Sequence, residues 1–411
     1  MEDDFNYMKR GGIQDTTSPK ENVTLDCITG SDLVNLVESW VNDNPLSSYN
    51  GSNCSYDDVI TFLEEEASKP AMLIYGRLFY AYFMPVVFVV GVIGNVLSIN
   101  VFLSRNMRGL SGSKYILALS ASDIAALVFY VLVEWLKRGL PFITHNRVMF
   151  MDITGICHGI FYFQYASRFF SAWLVVAFTL ERFIGVCHPL RRRDICTEAS
   201  TRRIICGLIV TSLVISIYKP ALSVVQDVTR YGRVCTTDPR HQYVTFVLDS
   251  IYAVFIALVP FVFITVLNLM IVRKLVMHNK RNRLRNVVTA ESVIRLEFTL
   301  ILLAISICFV IFNVPYFVVW CKLFLTSKFV QLDEFEDIRK MEFFQGIFWI
   351  TRAIFCFNYC INFFLYSITG AYFRQELKML FMYNRKTSQL NQPYCRCRFT
   401  SNRSTVPSVI T

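Results

Sequence analysis

Six ionisable side chains, Asp123, Glu134, Arg168, Lys219, Asp249 and Arg352, fall in or beside stretches that are otherwise apolar. Such groups can pair with one another, grip a charged ligand or hold an ion, and each is expensive to bury alone. Neutral hydrogen-bonding residues accompany them: Asn95, Gln164, Tyr165, Ser171, Asn313, Asn358, Asn362 and Tyr366. A further acid and base stand side by side in Glu181-Arg182-Phe183. The inventory for bond-making chemistry is thin. No His or Cys set has metal-ligand spacing, and neither a nucleophile elbow nor a phosphate loop occurs. The chemistry on offer is recognition, so neither catalysis nor a cofactor is expected.

The elements that must position these groups follow from composition. Of 411 residues, 54% are apolar or aromatic and 18% are charged, whereas a soluble chain carries about a quarter of its residues charged. The apolar residues form seven blocks, near 75–104, 114–136, 156–188, 203–225, 244–272, 292–324 and 343–368. Each is long enough to cross about 30 Å of hydrocarbon as a helix. Helix is the spanning form that fits, because lipid leaves exposed backbone groups unsatisfied and the blocks are too long for barrel strands. Within a span a charged side chain costs about 2.5–3.5 kcal/mol, so it faces the bundle. Most of the 13 Cys lie inside the blocks and behave as small hydrophobes.

Charge sets the orientation. Basic residues cluster in alternate connections: Arg105, Arg108 and Lys114; Arg191, Arg192, Arg193, Arg202 and Arg203; Arg273, Lys274, Lys280, Arg281, Arg283 and Arg285. The tail adds Arg374, Lys378, Arg385 and Lys386. The positive-inside rule places these in the cytoplasm and the N-terminus outside. The net charge of +10 is therefore read as bilayer topology, and nucleic acid is not expected as a partner. The expected division is an acidic extracellular segment at 1–72, a seven-helix domain at 73–370 and a cytoplasmic helix and tail at 371–411. Residues 1–70 hold 14 acidic side chains against four basic ones, with glycosylation sequons at Asn22, Asn50 and Asn53. No cleavable signal precedes them, so the first span is expected to act as its own targeting signal.

The polar residues also fall in a familiar register. Asn95 follows Gly94, Asp123 closes Leu119-Ser120-Ala121-Ser122-Asp123, and Glu181-Arg182-Phe183 precedes Cys187-His188-Pro189-Leu190. Pro260, Phe309, Pro315 and Asn362-Phe363-Phe364-Leu365-Tyr366 complete the pattern. Over roughly 75–380 the chain resembles rhodopsin-like G-protein-coupled receptors, and within them divergent invertebrate neuropeptide receptors. The resemblance implies a plasma-membrane receptor that binds an extracellular ligand and activates a heterotrimeric G protein. It implies that Arg182 is held by Glu181 at rest, and that Asn95, Asp123, Ser171, Asn358, Asn362 and Tyr366 belong to a water and sodium network. It also implies kinks at Pro260 and Pro315, a transmission aromatic at Phe309, and a short amphipathic helix from Phe373. Cys157 precedes Arg182 by 25 residues, the family's spacing for a disulfide whose partner would be Cys235.

Departures matter as much. The span-seven proline of the family is Phe363 here, its span-six tryptophan is Asn313, its span-five tyrosine is Asn268, and Arg295 stands where an acid could lock Arg182. Gln164 replaces the Asp that grips amines, and Cys356 replaces the retinal-bearing Lys, so amine and light receptors are excluded. Glu134, Gln164, Tyr165, Arg168, Asp249, Lys219 and Arg352 would line the outer half, which suits a peptide ligand. A chemosensory receptor for small molecules is the alternative, and a secondary transporter a remote one. A hairpin is expected over 228–235. Arg168, sharing a helix face with Gln164 and Ser171, has two candidate partners, Asp123 or an acidic or C-terminal group of the ligand, and Asp123 with Asn313 is the pairing expected at rest. It would then take sodium's place, leaving a metal at Asp123 in doubt.

Overall fold

The computed structural model describes residues 70–390, apart from 145, 147, 189, 229–231, 283–289 and 330–334. The sequons at Asn22, Asn50 and Asn53 lie outside the described residues.

Seven helices are long and apolar enough to cross a membrane. They are α1 (Ala71–Phe102), α2 (Gly112–Thr144), α3 (Thr154–Cys187), α4 (Glu198–Ala221) and α5 (Pro239–Met277), then α6 (Ala290–Phe329) and α7 (Phe335–Thr369). A further helix, α8, covers Ala371–Leu390. Local chemistry starts two of them cleanly. The Thr197 side chain accepts from the Ser200 amide at the head of α4, and Asp238 accepts from Arg240 just ahead of α5, with Pro239 in the first turn.

The helices are not regular throughout. In α2, Leu127–Leu132 and Trp135–Gly139 widen into π-turns. In α5, Val254–Leu258 does so immediately before Pro260, where the helix must absorb a missing amide donor. Pro315 is carried inside α6 without a break in the helix.

Between α4 and α5 the chain forms a two-stranded hairpin, β1 (Ser223–Val228) and β2 (Gly232–Thr237). Its antiparallel register sets Val225 opposite Cys235 and Val228 opposite Gly232. The hairpin therefore begins five residues earlier than expected, and α4 stops at Ala221 rather than near 225. The run Val224-Val225 is apolar enough to read as span, but β-branched residues also suit a pleated strand once a partner strand is available. A disulfide joins Cys157 of α3 to Cys235 of β2, with Cα atoms 5.8 Å apart. The Asp152 carboxylate accepts from the Cys235 amide at 2.9 Å.

Apolar side chains collect in two main clusters. One, around Tyr115, Phe178, Leu302, Phe309, Tyr366 and Phe373, fills the end that carries Arg182. The other, around Tyr80, Met84, Tyr130, Trp349 and Phe355, joins α1, α2 and α7 towards the disulfide end. Large apolar residues such as Val210, Val214, Phe263, Leu269 and Val276 on α4 and α5 face outwards. Exposed apolar surface of that extent needs lipid rather than water. The chain is a multi-pass membrane protein.

α1 packs along α7, and their backbones approach most closely where Gly76 meets Gly346. A Cβ added at Gly346 would lie 2.2 Å from the Met72 carbonyl oxygen, and one at Gly76 2.3 Å from that of Gly346. Small residues allow such crossings in membranes. Gly346→Leu should therefore separate α1 from α7 and sharply reduce delivery to the surface, measured by flow cytometry of a tagged receptor. Normal delivery and melting temperature would show that the crossing can spread at no cost.

Candidate functional site

Two linked cavities open among the helices at the disulfide end. The larger has an empty volume of about 1060 Å³ and is roofed in part by Thr236 and Thr237 of β2. The deeper has about 700 Å³ and is walled by Tyr252, Ile256, Phe309, Phe317 and Trp320. Tyr165, Arg168, Tyr316 and Trp320 line both.

The charged residues singled out in the sequence meet on these walls in two groups. On one side Glu134 of α2 accepts from Arg138 Nε at 3.0 Å and from Gln164 Nε2 of α3 at 3.1 Å. It also pairs with Arg352 of α7. One carboxylate thus ties three helices together. On the other side Asp249 of α5 accepts from Tyr165 OH at 3.1 Å and Tyr218 OH at 2.8 Å. Lys219 at the end of α4 completes that group, its Nζ 2.7 Å from Asp249 Oδ2. Arg138, Tyr218, Tyr252 and Tyr316 were not picked out from sequence. Arg138 was legible as the i+4 partner of Glu134, whereas nothing local marks the tyrosines.

Arg168 lies between the groups and belongs to neither. Its guanidinium carbon sits 4.5 Å from the centre of the Tyr130 ring and 5.7 Å from that of Phe355. Its Nε is buried without an acceptor. The expected pairing with Asp123 does not form. Asp123 instead accepts from Ser171 Oγ at 2.8 Å and Asn362 Nδ2 at 2.6 Å. Asn313 does not reach the guanidinium either, because its Nδ2 donates to the Phe309 carbonyl at 2.7 Å. The physical reason is side-chain direction. Helical side chains lean towards the helix N-terminus, and the N-terminus of α3 is at the disulfide end. Arg168 therefore leans away from Asp123, and Ser171, almost a turn further along, reaches it instead.

The remaining polar residues are spread around that centre. Asn95 donates to the Gly91 and Tyr359 carbonyls at 2.9 and 2.8 Å. Asn358 lines the deeper cavity and joins none of these bonds. Tyr366 is fully buried and packs edge-on against Phe102 and Phe373. Asp123 and Ser171 offer oxygens of the kind that hold a hard cation. Among the described residues no basic side chain is paired with the Asp123 carboxylate, whose two oxygens accept from Ser171 and Asn362.

At the other end Arg182 Nη2 lies 2.9 Å from Glu181 Oε2 and its guanidinium stands over Phe178. Phe183 packs edge-on against His188. A contact missed in the sequence joins α6 to α8. Glu297 Oε1 accepts from the Tyr372 amide at 2.8 Å and the Phe373 amide at 3.5 Å. It occupies the position of an N-cap acid supplied from another helix.

The Glu134 group is testable as structure. Glu134→Gln leaves Arg352 and Arg138 facing a neutral amide and should cost about 3–5 kcal/mol. Removing both charges in Glu134→Gln with Arg352→Met should recover most of that loss, read as thermal stability of the purified receptor. A double variant no better than the sum of the two singles would mean that the pair is not coupled.

Comparison with known proteins places this geometry. A profile described as "7 transmembrane receptor (rhodopsin family)" matches residues 94–366. The thyrotropin-releasing hormone receptor of Gallus gallus is 30% identical over 117 residues, so the chain spans about a quarter of that relative (28% of this chain, 27% of that protein). Neurotensin receptor type 1 of Mus musculus is 24% identical over 360 residues, 80% of this chain and 81% of that one. The FMRFamide receptor of Drosophila melanogaster is 22% identical over 313 residues, 73% of this chain and 53% of that one. The profile covers well over half of the sequence, and its matches are receptors rather than enzymes: the chain belongs to the rhodopsin family of seven-transmembrane receptors.

Proposed function

We propose that the chain is a plasma-membrane receptor for an extracellular peptide and that it activates a heterotrimeric G protein. The observation that carries this reading is the cavity at the disulfide end, lined by acid-base groups on four helices beneath a disulfide-anchored hairpin. A peptide offers the mixture of charged, amide and aromatic groups that such walls can complement. Relatives named for thyrotropin-releasing hormone, neurotensin and FMRFamide support it. In this reading the disulfide end and residues 1–72 are extracellular, with Asn22, Asn50 and Asn53 as glycan sites. Arg182, residues 371–411 and the basic connections are cytoplasmic.

The mechanism follows from the contacts. Ligand binding can shift a two-state bundle only by engaging one state better than the other. Glu134 bridges α2, α3 and α7, and Asp249 bridges α3, α4 and α5, so a ligand that competes for these groups changes how the helices are held together. Asp123 links α2, α3 and α7 midway between the apolar clusters. A sodium ion held by Asp123 and Ser171 would supply the positive charge that site lacks in the resting state. At the cytoplasmic end an outward swing of α6 would break the Glu297 contact with α8, while Arg182 exchanges Glu181 for the G protein.

Two tests follow. A neuropeptide library applied to cells expressing the full chain should raise nucleotide exchange on a G protein. Arg182→Ala should then lower that response at least tenfold at equal surface level, and an undiminished response would remove Arg182 from the coupling step. Exchanging sodium for a bulky organic cation at constant ionic strength should raise agonist affinity, and Asp123→Asn should abolish the difference. Affinity indifferent to sodium in the unmutated receptor would mean that the carboxylate is compensated by other means.

A further inference from the structure

The charge on the cavity walls does not balance. Glu134 is shared by Arg138 and Arg352, and Asp249 is taken up by Lys219. Arg168 lines both cavities, yet among the described residues no carboxylate or other acceptor engages it. Its guanidinium rests on the Tyr130 and Phe355 rings, whose π-faces attract a cation but carry no net negative charge. Burying a guanidinium in this state is unfavourable. A residue kept there for packing alone would be better replaced by an apolar one.

Its surroundings define what would complete it. Guanidinium presents a planar fork of donors that matches a carboxylate in two parallel hydrogen bonds. Tyr316 and Asn358 line the same deeper cavity and bring further neutral hydrogen-bonding groups. Ile256, Phe309, Phe317 and Trp320 make one part of that wall apolar and aromatic, while the Asp249 carboxylate, which also lines it, is held by Lys219. The Arg168 charge, set beside these apolar and aromatic side chains, suits a negative charge carried next to an apolar side chain.

We propose that Arg168 is the anchor for a carboxylate of the ligand, presented at the floor of the cavity beside an apolar or aromatic residue. This deepens the peptide-receptor reading and rests on it. It selects peptides whose inserted end is a free C-terminal acid, or carries Asp or Glu, over those ending in a neutral amide. An amide carbonyl can accept one hydrogen bond, but it brings no charge to offset Arg168.

N-acetyl-phenylalanine and its C-terminal amide form a minimal pair of probes, applied to the purified full-length receptor in nanodiscs. The acid should raise the melting temperature by about 2 °C or more at saturating concentration, with at least roughly tenfold higher affinity than the amide. Arg168→Gln should erase the difference, while Arg168→Lys, which keeps the charge, should retain part of it. The empty Arg168→Gln receptor should also melt no lower than the parent, whereas an arginine serving only to brace helices would lower it. Equal stabilisation by acid and amide, stabilisation by neither, or an acid preference that survives in Arg168→Gln would each overturn the assignment. If Arg168→Gln fails to fold, the acid-amide comparison in the unmutated receptor decides alone. A second arm uses each library peptide as free acid and as amide, with and without Asp or Glu. Activation indifferent to every carboxylate sinks this anchor but keeps the peptide reading. Selective binding of the acid probe without any peptide response does the reverse.

Discussion

Lipid offers no partner to a carboxylate or a guanidinium, so a charged side chain within a span must find its complement inside the bundle. That constraint organises the disulfide end of this receptor. Glu134 reaches Gln164 and Arg352 on two other helices, and Asp249 gathers Tyr165, Tyr218 and Lys219. These bonds do what loops cannot: they fix how helices far apart in sequence stand relative to one another. They also leave a cavity with charged walls, because groups paired across a gap hold the helices apart as well as together.

Apolar packing supplies the rest of the frame and divides it. One cluster fills the Arg182 end, the other joins α1, α2 and α7. Asp123 and Asn362 stand between them along α2 and α7, Ser171 meets Asp123 from α3, and all three are buried. A hydrogen-bonded polar layer between two close-packed regions can rearrange more readily than either region can repack, since packed cores resist continuous deformation. Binding at one end can then be felt at the other without wholesale loss of apolar contact. The α1–α7 crossing at Gly76 and Gly346 acts in the opposite sense, locking two helices at backbone distance.

Arg168 is where these two demands conflict. The helix direction that carries Ser171 to Asp123 carries the Arg168 side chain towards the cavity, onto aromatic rings rather than onto an acid. Local rules are often broken at functional sites and compensated elsewhere. A binding site that stores unfavourable charge until its ligand arrives is one form of that trade.

Much of the architecture was legible from residue order. Seven apolar blocks set seven helices because membrane thickness and backbone satisfaction leave one solution, and the register of Cys157 with Arg182 pointed to the Cys157–Cys235 disulfide through the family resemblance. The charged residues of the cavity, such as Glu134, Arg168, Asp249 and Arg352, were equally plain, since each interrupts an apolar run, whereas the buried Glu297 was not. Who would pair with whom was not. Glu134 and Arg352 lie 218 positions apart, and Glu297 meets α8 across 75 and 76. Such contacts depend on helix rotation and side-chain lean, which periodicity alone leaves undetermined. The hairpin start at Ser223 and the separation of Arg168 from Asp123 were decided in the same way. Sequence determined what had to be buried, because lipid and sterics act on each segment by itself. Tertiary structure decided the partners, because a hydrogen bond needs two side chains to arrive at one point from different helices.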